Sequence, residues 1–118
     1  MNQDGAFDEA VRGVDAILHT ASPLYIVEGD PDEIIVPAVK GSVGILQSAQ
    51  AHGSSVKRIV SISSTASVFT MGLSEPRKFN ENDWNDRCVE LVRAQGKDAP
   101  AWDKYRASKM LAEKAAWE

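Results

Sequence analysis

Lys57-Arg58-Ile59-Val60-Ser61-Ile62-Ser63-Ser64-Thr65-Ala66-Ser67 is the stretch that decides the fold. Its first half is a short β-branched, apolar run, which reads as a buried strand. Its second half is a hydroxyl-rich cluster where a strand gives way to a turn. Working back, Ile35, Val39, Val43, Leu46 and Ala49 recur at a helical period between Asp32 and about Gln50. Pro37 lies inside that stretch and predicts a kink, or a helix that properly starts near it. Gly41 and Gly44 sit mid-helix, where they permit close helix packing rather than hold a phosphate. Ahead of a turn at Glu28-Gly29-Asp30-Pro31, Asp15-Ala16-Ile17-Leu18-His19-Thr20 reads as another buried strand, stopped by Ala21-Ser22-Pro23. Strand, helix and strand in this order make a parallel crossover, and the fold class is α/β.

Outward from that unit, Asp4 to Gly13 reads as a short helix, with Asp4 as cap, Phe7, Ala10 and Val11 at helical spacing, and Gly13 as the stop. Phe69 to Pro100 is polar and irregular apart from one short helix around Arg87 to Ala94, the pattern of a functional loop or lid. Ala101 to Glu118 is rich in alanine, lysine and glutamate and predicts a strong terminal helix. Two parallel strands leave two open edges, whereas parallel sheets normally lie buried beneath helices on both faces. Strand count alone therefore marks the chain as a segment of a larger doubly wound fold, or one whose open sheet edges associate with another chain.

The 118 residues are 43% hydrophobic and 25% charged, the composition of one folded domain. No apolar run approaches the ~20 residues of a membrane helix, and Met1-Asn2-Gln3-Asp4 does not open a signal peptide. A membrane partner is thus not expected. The formal net charge of -4 comes without a basic stripe, which argues against nucleic acid. One cysteine, Cys88, cannot form an internal disulfide and fits a reducing, cytoplasmic setting. His19, His52 and Cys88 are scattered without metal-ligand spacing, so no metal is expected. Cys88 lacks a histidine partner and reads as a structural thiol. Ser64 lacks the Gly-x-Ser-x-Gly setting of a hydrolase. Of the tryptophans, Trp102 and Trp117 are expected to pack the last helix and Trp84 to pin the loop. Glu113, Lys114 and Glu118 read as a solvated face.

The chemistry gathers at Tyr105-Arg106-Ala107-Ser108-Lys109. Residues four apart share a helix face, so a phenol and an ammonium project side by side. A neighbouring positive charge favours phenolate over phenol, which suits proton transfer. Two tyrosines and seven lysines make a chance Tyr-x-x-x-Lys easy to obtain, so the pair alone decides little. In open parallel sheets, however, ligands bind outside the carboxyl ends of the strands. Here those ends carry Thr20-Ala21-Ser22 and Ser63-Ser64-Thr65, small enough for a flat ring to approach the backbone. The combination suits a ketone held over a nicotinamide.

In these residues the chain resembles the extended short-chain dehydrogenase/reductases, of the NAD-dependent epimerase/dehydratase superfamily. It is most similar to the dihydroflavonol-reductase and fungal carbonyl-reductase branch. The resemblance is carried by Gly5–Val11 with Val14–Pro23, by Pro37–Gly41 with Leu46, by Arg58–Ala66, and by Tyr105–Lys109 with Ala112–Trp117. Asn80-Glu81-Asn82-Asp83-Trp84-Asn85 adds a loop of the same kind, and its Asn82-Asp83-Trp84 favours the reductase branch over sugar-nucleotide epimerases and dehydratases, which share the triad. The resemblance implies a catalytic serine at Ser64, with Ser63 as second choice, a tyrosine acid at Tyr105 and its lysine at Lys109. It implies that Thr20, Ala21 and Ser22 lie along the cofactor beside Tyr105 and Lys109, and that NADP(H) is preferred to NAD(H). A small carbonyl compound would be the substrate.

The family's opening Gly-x-x-Gly-x-x-Gly turn has no counterpart among the eight glycines. Residues 1–118 thus read as the central part of an NAD(P)-binding Rossmann-type domain truncated at both ends. They comprise a β-α-β unit plus the catalytic helix, without the first βαβ unit and the C-terminal lobe. Alone, this stretch is expected to bind dinucleotide weakly, because the pyrophosphate lacks its helix N-terminus. The contrasting expectation is a non-catalytic remnant that only associates with a partner chain.

Overall fold

The computed structural model describes residues 3–25 and 27–118; Met1 and Asn2, part of the leader reading, lie outside the described residues. Two strands, β1 (Ala16–His19) and β2 (Arg58–Ser61), pair in parallel, with Ile17 opposite Ile59 and His19 opposite Ser61. Helix α1 (Asp32–His52) connects them. A 3-10 turn over Thr65–Ser67 leads through the loop to α2 (Asp86–Gln95), and α3 (Ala101–Trp117) follows. The expected β-α-β crossover and terminal helix are present within a residue or two of their predicted bounds.

Pro37 does not delay α1. Asp30 Oδ1 accepts the Asp32 N–H at 3.1 Å, which lets the helix begin five residues before the proline. Proline has no N–H to give the carbonyl of Glu33, four residues back. The Tyr25 hydroxyl donates to that carbonyl at 2.7 Å and replaces the missing bond.

One expected element is absent in its expected form. Residues 4–13 form consecutive turns, bonded Asp8 N–H to Gly5 O and Arg12 N–H to Glu9 O, rather than an α-helix. Gly5 adopts φ +73°, a left-handed backbone that a helix cannot propagate through, while Gly13 at +70° ends the stretch as a stop glycine does. Phe7 and Val11 still reach the core. With Ile17, Ile59, Ile45 and Ala49 they form the cluster between the sheet and α1. Gly44 receives the Phe7 ring, 3.6 Å from where a Cβ would stand, while Gly41 faces open space. Close packing thus accounts for one of the two glycines.

A second cluster joins α2 to α3 through Cys88, Val89, Val92, Ala107 and Met110, with Ile35 of α1 packed against it. Burying a side chain such as Met110, 2% exposed, contributes about 1.5–3 kcal/mol. The strands, expected to be buried, are covered on one side alone, because no described segment packs on the other: Leu18 and its partner Val60 are 66% and 45% exposed. Trp102 and Trp117 are likewise exposed, contrary to expectation, because no described segment packs over their faces of α3. Trp84, by contrast, is half-buried against the α2–α3 cluster and holds the loop as expected, with the Lys114 ammonium 5.8 Å from its ring centre.

Candidate active site

The carboxyl ends of both strands open towards α3, whose middle turns are its most buried part. Ala107 and Ser108 are fully buried, and Lys109 is 8% exposed. The Ser108 hydroxyl donates to the Tyr105 carbonyl at 2.7 Å, so the residue between the phenol and the ammonium is locked within the helix.

Lys109 reaches the end of β1. Its ammonium donates to Ser22 Oγ at 3.0 Å, across 87 residues of sequence. Burial pushes its pKa down from 10.5, and the carboxylate of Glu113, one turn along, pulls it back up. Of the Thr20-Ala21-Ser22 segment, Ser22 is the residue the α3 lysine bonds. Thr20 and Ala21 lie exposed beside it.

The two candidate serines differ in what their hydroxyls do. Ser63 donates to the Glu113 carboxylate, and its oxygen lies 3.0 Å from Ser67 Oγ. Ser64 instead accepts, from the Ala66 N–H at 3.2 Å, as the cap of the 3-10 turn. A hydroxyl carries one proton and two lone pairs. Ser63 has its proton engaged, whereas that of Ser64 is free to be donated elsewhere. Glu113 was expected in a solvated face; it is instead the carboxylate that ties the serine turn to α3.

Tyr105 is partly exposed and meets Trp102 edge-on, ring centres 6.0 Å apart. Among the described residues no hydrogen bond joins its hydroxyl to Ser64 or Lys109. Tyr105 and Lys109 share one face of α3 by their four-residue spacing. A groove of about 320 Å³ runs beside β2, with Ser61, Ser63, Ile62, Lys109 and Glu113 on its wall.

Two further residues shape this region without a signal in the sequence. Asn85, 3% exposed, donates its amide to Ala66 O at 3.1 Å while its N–H donates to Ser67 O, fastening the serine turn to the start of α2. An asparagine in a polar loop looks like any turn residue until its partner 19 positions away is known. His19, 7% exposed, packs edge-on to Phe7. Its Nε2 is the one buried side-chain polar atom without a hydrogen-bond partner among the described residues. Burial, then the charge of Lys109, lowers its pKa from 6.5.

The unfolded chain thus binds a proton at His19 more readily than the folded one. The stability that goes with neutral His19 is full above about pH 6.5 and is lost as pH falls below that value. Replacing the imidazole with an uncharged side chain removes this dependence. His19→Gln is expected to narrow the gap between urea midpoints measured at pH 7.5 and below pH 6. An unchanged gap would show that His19 does not carry it.

Cys88 is buried, donates to Asn85 O at 2.9 Å, and is pushed up to about 11, first by burial and then by Asp103. It is the structural thiol expected. Among the described residues no group of three or more His, Cys, Asp or Glu side chains could hold a metal, and no helix is long and apolar enough to cross a membrane.

A parallel crossover, small hydroxylated strand ends and a Tyr-x-x-x-Lys helix closing over them define a nucleotide-fold protein. Residues 3–118 match the NAD-binding family model described as male sterility protein, and the chain belongs to that family. It falls among the extended short-chain dehydrogenase/reductases, in their epimerase/reductase branch. The chain is 36% identical to dihydroflavonol 4-reductase of Arabidopsis thaliana, covering 100% of itself and 29% of that protein. It is 36% identical to the NADPH-dependent methylglyoxal reductase GRE2 of Saccharomyces cerevisiae, covering 98% of itself and 33% of that protein. The crystal structure of yeast methylglyoxal/isovaleraldehyde reductase Gre2 complexed with NADPH superposes with a TM-score of 0.79 at 34% identity, over 98% of this chain and 35% of the other. The chain thus spans about a third of the length of the relatives it matches.

Proposed function

We propose that the protein carrying this chain is an NADP(H)-dependent oxidoreductase that reduces an aldehyde or ketone to an alcohol. The observation that carries the reading is the 3.0 Å bond from the buried Lys109 ammonium to Ser22 Oγ. It brings the tyrosine-lysine face of α3 to the carboxyl end of a parallel strand, where this sheet type binds ligands. The GRE2 relative is NADPH-dependent by name, and the yeast Gre2 structure was solved with NADPH, which supports the phosphorylated cofactor over NAD(H).

The residues present fit the nicotinamide-ribose end of such a cofactor. Thr20, Ala21 and Ser22 are small and lie at a strand end, and the buried Lys109 ammonium reaches Ser22. The cofactor, when bound, supplies a hydride to the carbonyl carbon. Tyr105 then gives its phenolic proton to the carbonyl oxygen as negative charge develops there. Ser64 donates its free proton to the same oxygen and orients it, while Ser63, with its proton on Glu113, is unsuited to that task. Lys109 stabilises the phenolate left on Tyr105 and offers its remaining donors to the ribose.

The reading is tested by assaying the full-length protein with NADPH against a panel of aldehydes and ketones, following loss of reduced cofactor. NADPH-dependent alcohol formation is expected. Conversion of a nucleotide sugar without net cofactor consumption would instead place it with the epimerases.

A further inference from the structure

We propose that Lys104 is a positioning residue whose caged ammonium sets the β1-end segment carrying Ser22 against the turn of α3 carrying Tyr105. Lys104 is 1% exposed, the largest fully buried side chain among the described residues. Its Nζ donates to Lys97 O at 2.7 Å, to Gly29 O at 2.8 Å and to Glu28 O at 3.2 Å. An ammonium has three donors and no acceptor, so its hydrogen-bonding capacity is filled by main-chain carbonyls alone. A buried charge is tolerated only when so satisfied, and charge-assisted bonds are about twice as strong as neutral ones.

The three acceptors come from two segments far apart in sequence. Glu28 and Gly29 belong to the stretch between Ser22 and the start of α1, and Lys97 to the 3-10 turn that feeds α3. Lys97 itself reaches back across the same junction, its ammonium 3.9 Å from Asp30 Oδ2 at the surface. The joint is therefore made from inside and outside. It lies one residue from Tyr105 along α3, at the opposite end of the segment whose other end holds Ser22 beneath Lys109. Glu28 and Gly29 lie in irregular backbone and Lys97 in a single 3-10 turn, so no regular ladder fixes the spacing of the three carbonyls.

The inference rests on the reductase reading for its catalytic consequence but not for its geometry, and the test separates the two. In the full-length protein, Lys104→Met keeps the apolar stem and removes every donor. A misplacement of about 1 Å can cost on the order of a hundredfold in rate. The variant is expected to lose roughly ten- to a hundredfold in kcat, with KM for NADPH changed less than about threefold. Amide exchange is expected to rise in residues 22–31 and 95–101 together, while the C-terminal half of α1 keeps wild-type rates. Should the methionine variant not fold, Lys104→Gln is measured in the same way. A folded variant with wild-type kcat, or with unchanged exchange in both segments, overturns the proposal. If the wild-type protein reduces no carbonyl compound, the reductase reading fails by itself, and exchange in the two segments alone decides the role of Lys104.

Discussion

Tyr105→Phe in the full-length protein is expected to lower carbonyl reduction by about a thousandfold, ~4 kcal/mol of barrier, and to leave NADPH affinity nearly unchanged. The substitution deletes one oxygen. It keeps the ring, which meets Trp102 edge-on, and the Ser108 bond to the main-chain carbonyl at position 105 is unaffected. Helix α3 should therefore stand as before. What disappears is the proton that quenches the developing alkoxide, so kcat and kcat/KM should fall together, the mark of an interaction made only in the transition state. Stopped-flow measurement of single turnovers, with cofactor binding followed separately by fluorescence, gives both quantities. Retention of most of the turnover would assign the acid to another group.

Lys109→Met should be nearly as damaging, by a different route. The ammonium has two predicted duties, towards the phenolate and the ribose, and a hydrogen bond to Ser22. Its loss is expected to cost on the order of a hundredfold in kcat/KM, ~3 kcal/mol, with weaker NADPH binding as well, unlike the tyrosine variant. It also has a consequence that needs no enzyme assay. The charge of Lys109 is the second cause, after burial, of the lowered pKa at His19. In the methionine variant the His19 titration followed by NMR should move up towards 6.5, leaving only the part due to burial. A His19 titration that stays in place would show that Lys109 does not face it.

These effects trace back unevenly to the chain itself. Helix α1 is legible because apolar periodicity runs long enough there to outweigh local interruptions, and the strands because short apolar runs end in turn residues. Even Pro37 did not mislead about the helix's existence, only about where it starts. What undid that detail is the Tyr25 hydroxyl on Glu33 O, a contact eight residues back that no periodicity encodes. Residues 4–13 show the reverse failure. Their apolar spacing is helical and Phe7 and Val11 do reach the core, yet the backbone, with Gly5 at positive φ, forms turns. Spacing there reports burial and not backbone.

At the site, residue types with distinctive chemistry were legible, and those acting through position were not. Tyr105, Lys109 and the Ser63-Ser64 pair stand out as a proton donor, a cation and hydroxyls at a strand end. The resemblance prefers Ser64 to Ser63 but does not reveal how their hydroxyls differ: Ser63 donates to Glu113, while Ser64 accepts from the Ala66 N–H. Glu113 reads in the sequence as part of a solvated face, and nothing there singles out Lys104. One proves to be tied to a serine 50 residues away and the other is wholly enclosed, because the loops that meet them come from distant sequence. Trp102 and Trp117 erred in the opposite direction, since an aromatic residue is buried only where some segment supplies the opposing face.

The convergence of Ser64, Tyr105 and Lys109 on one carbonyl is tested most directly by a crystal structure of the full-length protein with oxidised cofactor and an unreactive carbonyl analogue. The expected result is one analogue oxygen within about 3 Å of both Ser64 Oγ and Tyr105 Oη, with the Lys109 ammonium on the ribose. An oxygen bound instead by Ser63, or held away from the Tyr105 ring, would contradict it.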